Sequence, residues 1–229
     1  MRVYAISSGL RDSDSCLWPT LGLGSRTHEV MDLIRASFES GGSSLADHWA
    51  RENWEIPAVV FNYDNHPKDT PPANFDYCHP VSSLIMDEYV FQLFDDCLYG
   101  SGELLPLKST GDSPYYLFNC TKVIDVLDTK RGHYNWLSGY RGKVASAAYV
   151  LAFKKLPAGL DLFRVPQLSK MLFASEEFSI RIREEGQCNK RLRSNVRCDL
   201  VWDSDDPTYW DERYPPEQWE RVKKLKHST

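Results

Sequence analysis

Apolar positions along the chain come in short bursts divided by breakers, and the period of each burst predicts an element. Residues 2–7, "RVYAIS", suit an opening strand, and residues 57–63, "PAVVFNY", suit a buried strand rich in β-branched side chains. Between them, residues 27–39 place Val30, Leu33, Ile34 and Phe38 on one helical face. In "VSSLIMDEYVFQLFDDCL", residues 81–98, Leu84, Ile85, Phe91, Leu93, Phe94 and Leu98 fall at helical spacing. Ser82 or Ser83 is available as its N-cap and Gly100 lies just past its end, so one long helix is expected. Residues 103–108 and 115–119 predict two strands, joined by a Ser-Thr-Gly-Asp turn that suits a hairpin. "TKVIDVLD", residues 121–128, predicts a short amphipathic helix, Val123, Ile124 and Leu127 inward, Asp125 and Asp128 outward. Residues 144–156 favour a strand.

Further along, the pattern predicts a strand starting at Leu162, a second near residues 171–173, and a helix capped by Ser175 that runs to Glu185 and stops at Gly186. The tail divides by charge. Residues 199–217 hold seven acids and one arginine; residues 218–226 hold four basic residues and one acid, and predict a helix with Trp219, Val222 and Leu225 inward. "SDS", "LGLG", "ESGGSS" and "NHPKDTPPANF" interrupt the first third. No internal repeat is evident. The expectation is a single α+β domain of short mixed strands with helices packed on them. It comprises a looser N-terminal lobe (residues 1–79), a core (80–195), and an acidic segment with a C-terminal helix (196–229).

Composition narrows the class. Apolar residues make up 42% of the 229, with ten Phe, twelve Tyr and seven Trp, enough to build a core without disulfides. A net charge of -5, from 27 Lys and Arg against 32 Asp and Glu, gives no general attraction to nucleic acid or anionic membrane and makes a basic partner easier. The N-terminus has no sustained apolar run, and no window of about 18 apolar residues occurs, so a soluble cytoplasmic chain is expected. Its six cysteines are scattered without C-x-x-C spacing and are expected to be reduced. Cys78 beside His79 lacks a second ligand pair, so neither metal nor cofactor is expected. Asn119-Cys120-Thr121 matches a glycosylation acceptor, which a cytoplasmic chain does not use.

Catalytic motifs are absent from the sequence: no G-x-S-x-G, no G-x-x-x-x-G-K-[ST], and no second His after His28-Glu29. Leu21-Gly22-Leu23-Gly24 has Thr27 where a dinucleotide loop needs its third glycine. Asp125 and Asp128 with His133 form the alternative, a small-molecule or nucleotide enzyme, since close carboxylates separate their pKa values. Against it stands the plainer reading of aspartates on a wet helix face. The basic run 181–197 lacks the interleaved aromatics of a nucleic-acid site. In "WDSDDPTYWDERY" aromatics sit amid acids, in the manner of a protein-binding hot spot with a charged rim. Trp202, Asp203, Asp205, Asp206, Tyr209, Trp210 and Asp211 are therefore the candidate partner-binding residues, the alternative being that these aromatics fold back onto the core.

The succession "GELLPLKSTGDSPYYLFNCTKVIDVLDTKRG", then "LFRVPQLSKMLFASEEFSIRIREEG", resembles the immunity-protein family of bacterial polymorphic toxin systems over residues 80–195. The residues that carry the resemblance are Glu103, Pro106, Tyr115, Tyr116, Asn119, Asp125, Asp128, Phe173, Ser175, Glu176, Phe178 and Gly186. It implies a cytoplasmic, non-catalytic antitoxin whose partner is the toxin domain of a secreted effector, blocked at its active site or in its assembly.

Overall fold

The computed structural model describes residues 1–8, 19–22, 58–61, 71–78, 82–109, 113–139, 142–168 and 171–206. The helices expected at 27–39 and in the C-terminal tail lie outside the described residues. The architecture is α+β, a mixed domain of antiparallel sheets with helices packed on them.

Its central layer is built on β1 (Arg2–Ser8). β1 pairs antiparallel with β11 (Phe173–Ser175) on one side and β12 (Val196–Asp203) on the other, and β10 (Leu162–Phe163) extends the sheet beyond β11. Both faces are covered, so alternate residues enter different cores. Val3 and Ala5 face one cluster; Ile6 faces the other, with Tyr4 packed against it. Phe173 and Ala174, and Phe163 and Leu162, divide the same way. A register shift between Val3 and Tyr4 leaves Val201 as an extra residue in β12, which sends both Val201 and Trp202 to one side. β12 occupies the end of the basic run and the start of the acidic segment, where no strand is expected.

The second sheet runs β4 (Phe75–Cys78), β5 (Ser83–Asp87), β7 (Tyr115–Cys120), β6 (Gly102–Leu107), all antiparallel. Pro106 lies on the edge strand, where a missing N–H is tolerated. The first core fills the space between the two sheets and the helices α1 (Glu88–Leu98) and α2 (Glu176–Cys188). Phe94 of α1 bridges Phe75, with ring centroids 5.4 Å apart, and Phe178 of α2, at 6.0 Å. On the opposite face of the central sheet, Phe153, Phe163 and Phe173 form a second aromatic nucleus. Beside it lies the hairpin β8 (His133–Gly139) and β9 (Gly142–Val150). β2 (Pro19–Gly22) and β3 (Ala58–Phe61) pair separately, so Leu21-Gly22 ends a strand.

Three expected elements change. The long helix over 81–98 is a strand followed by a helix: Ser83–Asp87 is buried at every position between β4 and β7, and a continuous apolar run of that kind has no helical or strand period of its own. Asp87, instead of a serine, accepts from the Val90 N–H at 2.9 Å and caps α1. Residues 121–128 are extended. Arg164 N donates to Lys122 O at 2.8 Å, and Asp128 N donates to Ala152 O at 2.8 Å, which satisfies backbone that an eight-residue helix would hold only marginally. The Ser175 cap on α2 is present, at 3.3 Å from Phe178 N, but the helix passes through Gly186 and ends at Cys188.

Arg164 ties the two sheets together. Only 3% exposed, it follows β10, donates from Nε to Cys120 O at 2.9 Å at the end of β7, and from Nη2 to Ser82 O and to Ser83 Oγ before and in β5. Ser82 holds φ at 49°, in the left-handed region, and presents its carbonyl to the guanidinium.

Candidate functional site

The acidic candidates near the end of β12 are largely engaged by the fold itself. Trp202 is 8% exposed and belongs to the second core. Asp203, 6% exposed, receives Arg2 Nε at 2.8 Å, and Arg2 Nη1 reaches Glu176 at 2.7 Å. The Arg2 guanidinium, with the Asp205 N–H, holds the Asp203 carboxyl below its ordinary range. Asp205 is exposed but lies 3.2 Å from the Met1 amine and accepts from Ser204 Oγ at 2.8 Å. Asp206 is half-buried. Tyr209, Trp210 and Asp211 lie outside the described residues. Arg2 and Met1 also line a recess of about 420 Å³ with Leu160, Asp161 and Glu177, where cations and acids already face one another.

The alternative catalytic trio is likewise absorbed locally. Asp125 is exposed and accepts from Gln167 Nε2 at 3.0 Å, with Lys154 Nζ 3.8 Å away. Asp128 closes its own turn, accepting from the N–H groups of Lys130 at 3.0 Å and Arg131 at 3.2 Å. His133 is a strand residue opposite Val150. Burial pushes the thiols of Cys97 and Cys120 up to about 11 and that of Cys198 up to about 12, so at neutral pH these are protonated and poor nucleophiles. Among the described residues no cluster of three or more His, Cys, Asp or Glu is arranged to hold a metal ion.

A different surface stands out where α1 ends. Tyr99 is 91% exposed, the one exposed large hydrophobic among the described residues. Beside it a recess of about 650 Å³ opens between the last turns of α1 and the edge strand β6. Phe91, Leu98, Leu104 and Phe118 supply its apolar lining; Asp95, Asp96 and Glu103 its acids. Two glycines shape the mouth. Gly100, at φ 77°, turns the chain out of the helix, and Gly102 lies so close to Asn119 O and the Phe118 ring that a Cβ there would collide with them.

The acids sit where helix physics disfavours them. A helix C-terminus carries about half a negative charge and prefers cations, yet Asp95 and Asp96 occupy the last turn of α1 and no basic residue does. Asp96 is compensated from α2: Arg181 Nη1 meets it at 2.5 Å while Nη2 donates to Leu93 O at 2.6 Å, which lowers the Asp96 pKa. Glu103 Oε1 accepts from Asn119 Nδ2 at 3.1 Å. Asp95 has no ion-pair partner among the described residues.

No family model and no curated protein matches the chain.

The groove therefore stands on its own chemistry: an apolar floor, an exposed ring and a negative rim. The sequence carried one sign of it, the Asp-Asp pair placed against the helix dipole two residues before "LYG". Helical periodicity ranks residues by burial and passes over an exposed Tyr.

Proposed function

We propose that this chain is a cytoplasmic immunity protein, which binds the toxin domain of a secreted effector and neutralises it without catalysis. The observation that carries the reading is the groove beside Tyr99, where an exposed aromatic, an apolar floor and the acid Asp95, unpaired among the described residues, meet at the edge of a sheet. Interfaces draw their energy from aromatic anchors in desolvated pockets, and complementary charge speeds encounter. The resemblance over residues 80–195 supplies the class of partner. Trp202 and Asp203, engaged in core and ion pair, are not assigned to the docking surface.

Co-expression with the toxin domain of a secreted effector whose gene adjoins its own tests the reading. The expected result is restored growth of the toxin-producing cell and a stoichiometric complex that survives size-exclusion chromatography. Loss of protection in Asp125→Asn or Asp128→Asn proteins of unchanged stability would instead assign the activity to the enzyme alternative.

A further inference from the structure

We infer that the groove between α1 and β6 receives an arginine side chain from an extended segment of a partner protein. The inference rests on reading this groove as a docking surface and names what docks there.

Three features of the recess agree on that chemistry. Its rim holds two exposed carboxylates, Asp95 and Asp96, of which Arg181 compensates the second, while the buried Glu103 accepts from Asn119, and none of its lining residues is basic. The carbonyl end of α1 adds to the same negative potential, since no basic residue lies in its last turn. A cation is the complement of such a rim. The floor, by contrast, is apolar, made by Phe91, Leu98, Leu104 and Phe118, and suits the methylene stem of a long side chain whose charged head stays at the mouth. Arginine meets both demands better than lysine, because its planar, weakly hydrated guanidinium can take a carboxylate in two hydrogen bonds and stack on a phenol ring. Tyr99 stands exposed beside the acids and provides that ring. The molecule already makes such contacts internally: Arg191 lies 3.9 Å above the Tyr89 ring and Arg181 lies 5.6 Å from Phe94.

The volume is right for more than one group. About 650 Å³ lies within the roughly 300–1,000 Å³ typical of ligand clefts, so the arginine enters with its neighbours on the segment. The segment approaches an edge strand, β6, which is paired on one side only among the described strands.

The experiment uses the full chain and a capped peptide of alternating arginine and leucine, with binding followed by calorimetry. Two control peptides carry citrulline, the neutral isostere, or lysine in place of arginine. The expected result is saturable binding that weakens with salt, falls about tenfold or more with citrulline, and is weaker for lysine. Asp95→Asn should weaken the arginine peptide about tenfold and leave the citrulline peptide unchanged, while Leu104→Lys, at a half-buried position, should abolish binding of both. Equal binding of arginine and citrulline peptides, insensitivity to Asp95→Asn, or no saturable binding would each overturn the inference. Its failure is separable from that of the immunity reading. If Leu104→Lys loses the peptide but still protects against the effector domain, the toxin docks elsewhere and the arginine site stands; if the peptide fails while protection persists, the arginine site falls alone.

Discussion

At the scale of single residues, small side chains and ion pairs hold positions that composition does not reveal. Gly102 is one. A methyl group there would meet the Asn119 carbonyl and the Phe118 ring, and backbone cannot move aside cheaply. Gly102→Ala is expected to destabilise by about 1–3 kcal/mol, read as a lower midpoint in urea unfolding. Asp203 gives a pH test. Its carboxyl ionises below its ordinary value of 3.8 because Arg2 binds the charged form. An acid depressed in this way contributes its full stabilisation above 3.8 and surrenders it as pH falls through the folded value. Asp203→Asn should therefore be less stable than the natural chain near pH 7, with the gap narrowing once pH drops below about 4 in parallel denaturation series. Neither role was legible in advance: Asp203 is one acid among many in "WDSDDP", and only the register of β12 against β1 sets it beside Arg2.

Elements were legible where one local rule dominated. β1, the β6–β7 hairpin and the Ser175 cap follow from alternation, a turn and a capping residue, and all three are present. Failures came where burial or long-range pairing overrode local preference. Ser83–Asp87 is buried on both sides and so has no period to read; residues 121–128 exchange most of their backbone bonds with Ser101 and with residues 152–164, far away in sequence. β12 was missed because Asp199 and Arg197 suggest surface, although the strand pairs over its length with β1. Gly186 shows a cue read too strongly. It sits inside α2 with open space where a Cβ would go, so Gly186→Ala should stabilise the protein by about 0.5–1 kcal/mol and raise its thermal midpoint.

Over the whole molecule, the fold depends on joining distant parts of the chain, and Arg164 does this between the two sheets. Replacing it with leucine leaves the carbonyls of Ser82 and Cys120 buried without this donor, and buried acceptors that lose their partner cost about 1–3 kcal/mol each. Arg164→Leu should therefore lower stability by roughly 2–6 kcal/mol. Hydrogen exchange should report the loss first in β5 and the end of β7, with Phe153, Phe163 and Phe173 less affected. No helix among the described residues is long and apolar enough to cross a membrane.

The pairing of β1 with β12 also sets a clock on synthesis. Once made, β1 finds one neighbour only when residues 173–175 appear and the other only at residues 196–203. At about 5–20 residues per second, β1 waits on the order of 10–40 s for the strand that completes its sheet. For that interval Val3, Ala5 and Ile6 are open to other edges, so a nascent chain arrested before residue 196 should be a client of chaperones where one released after residue 206 is not. A chain so built is late to fold, because its central sheet closes only when its last described strand has been made.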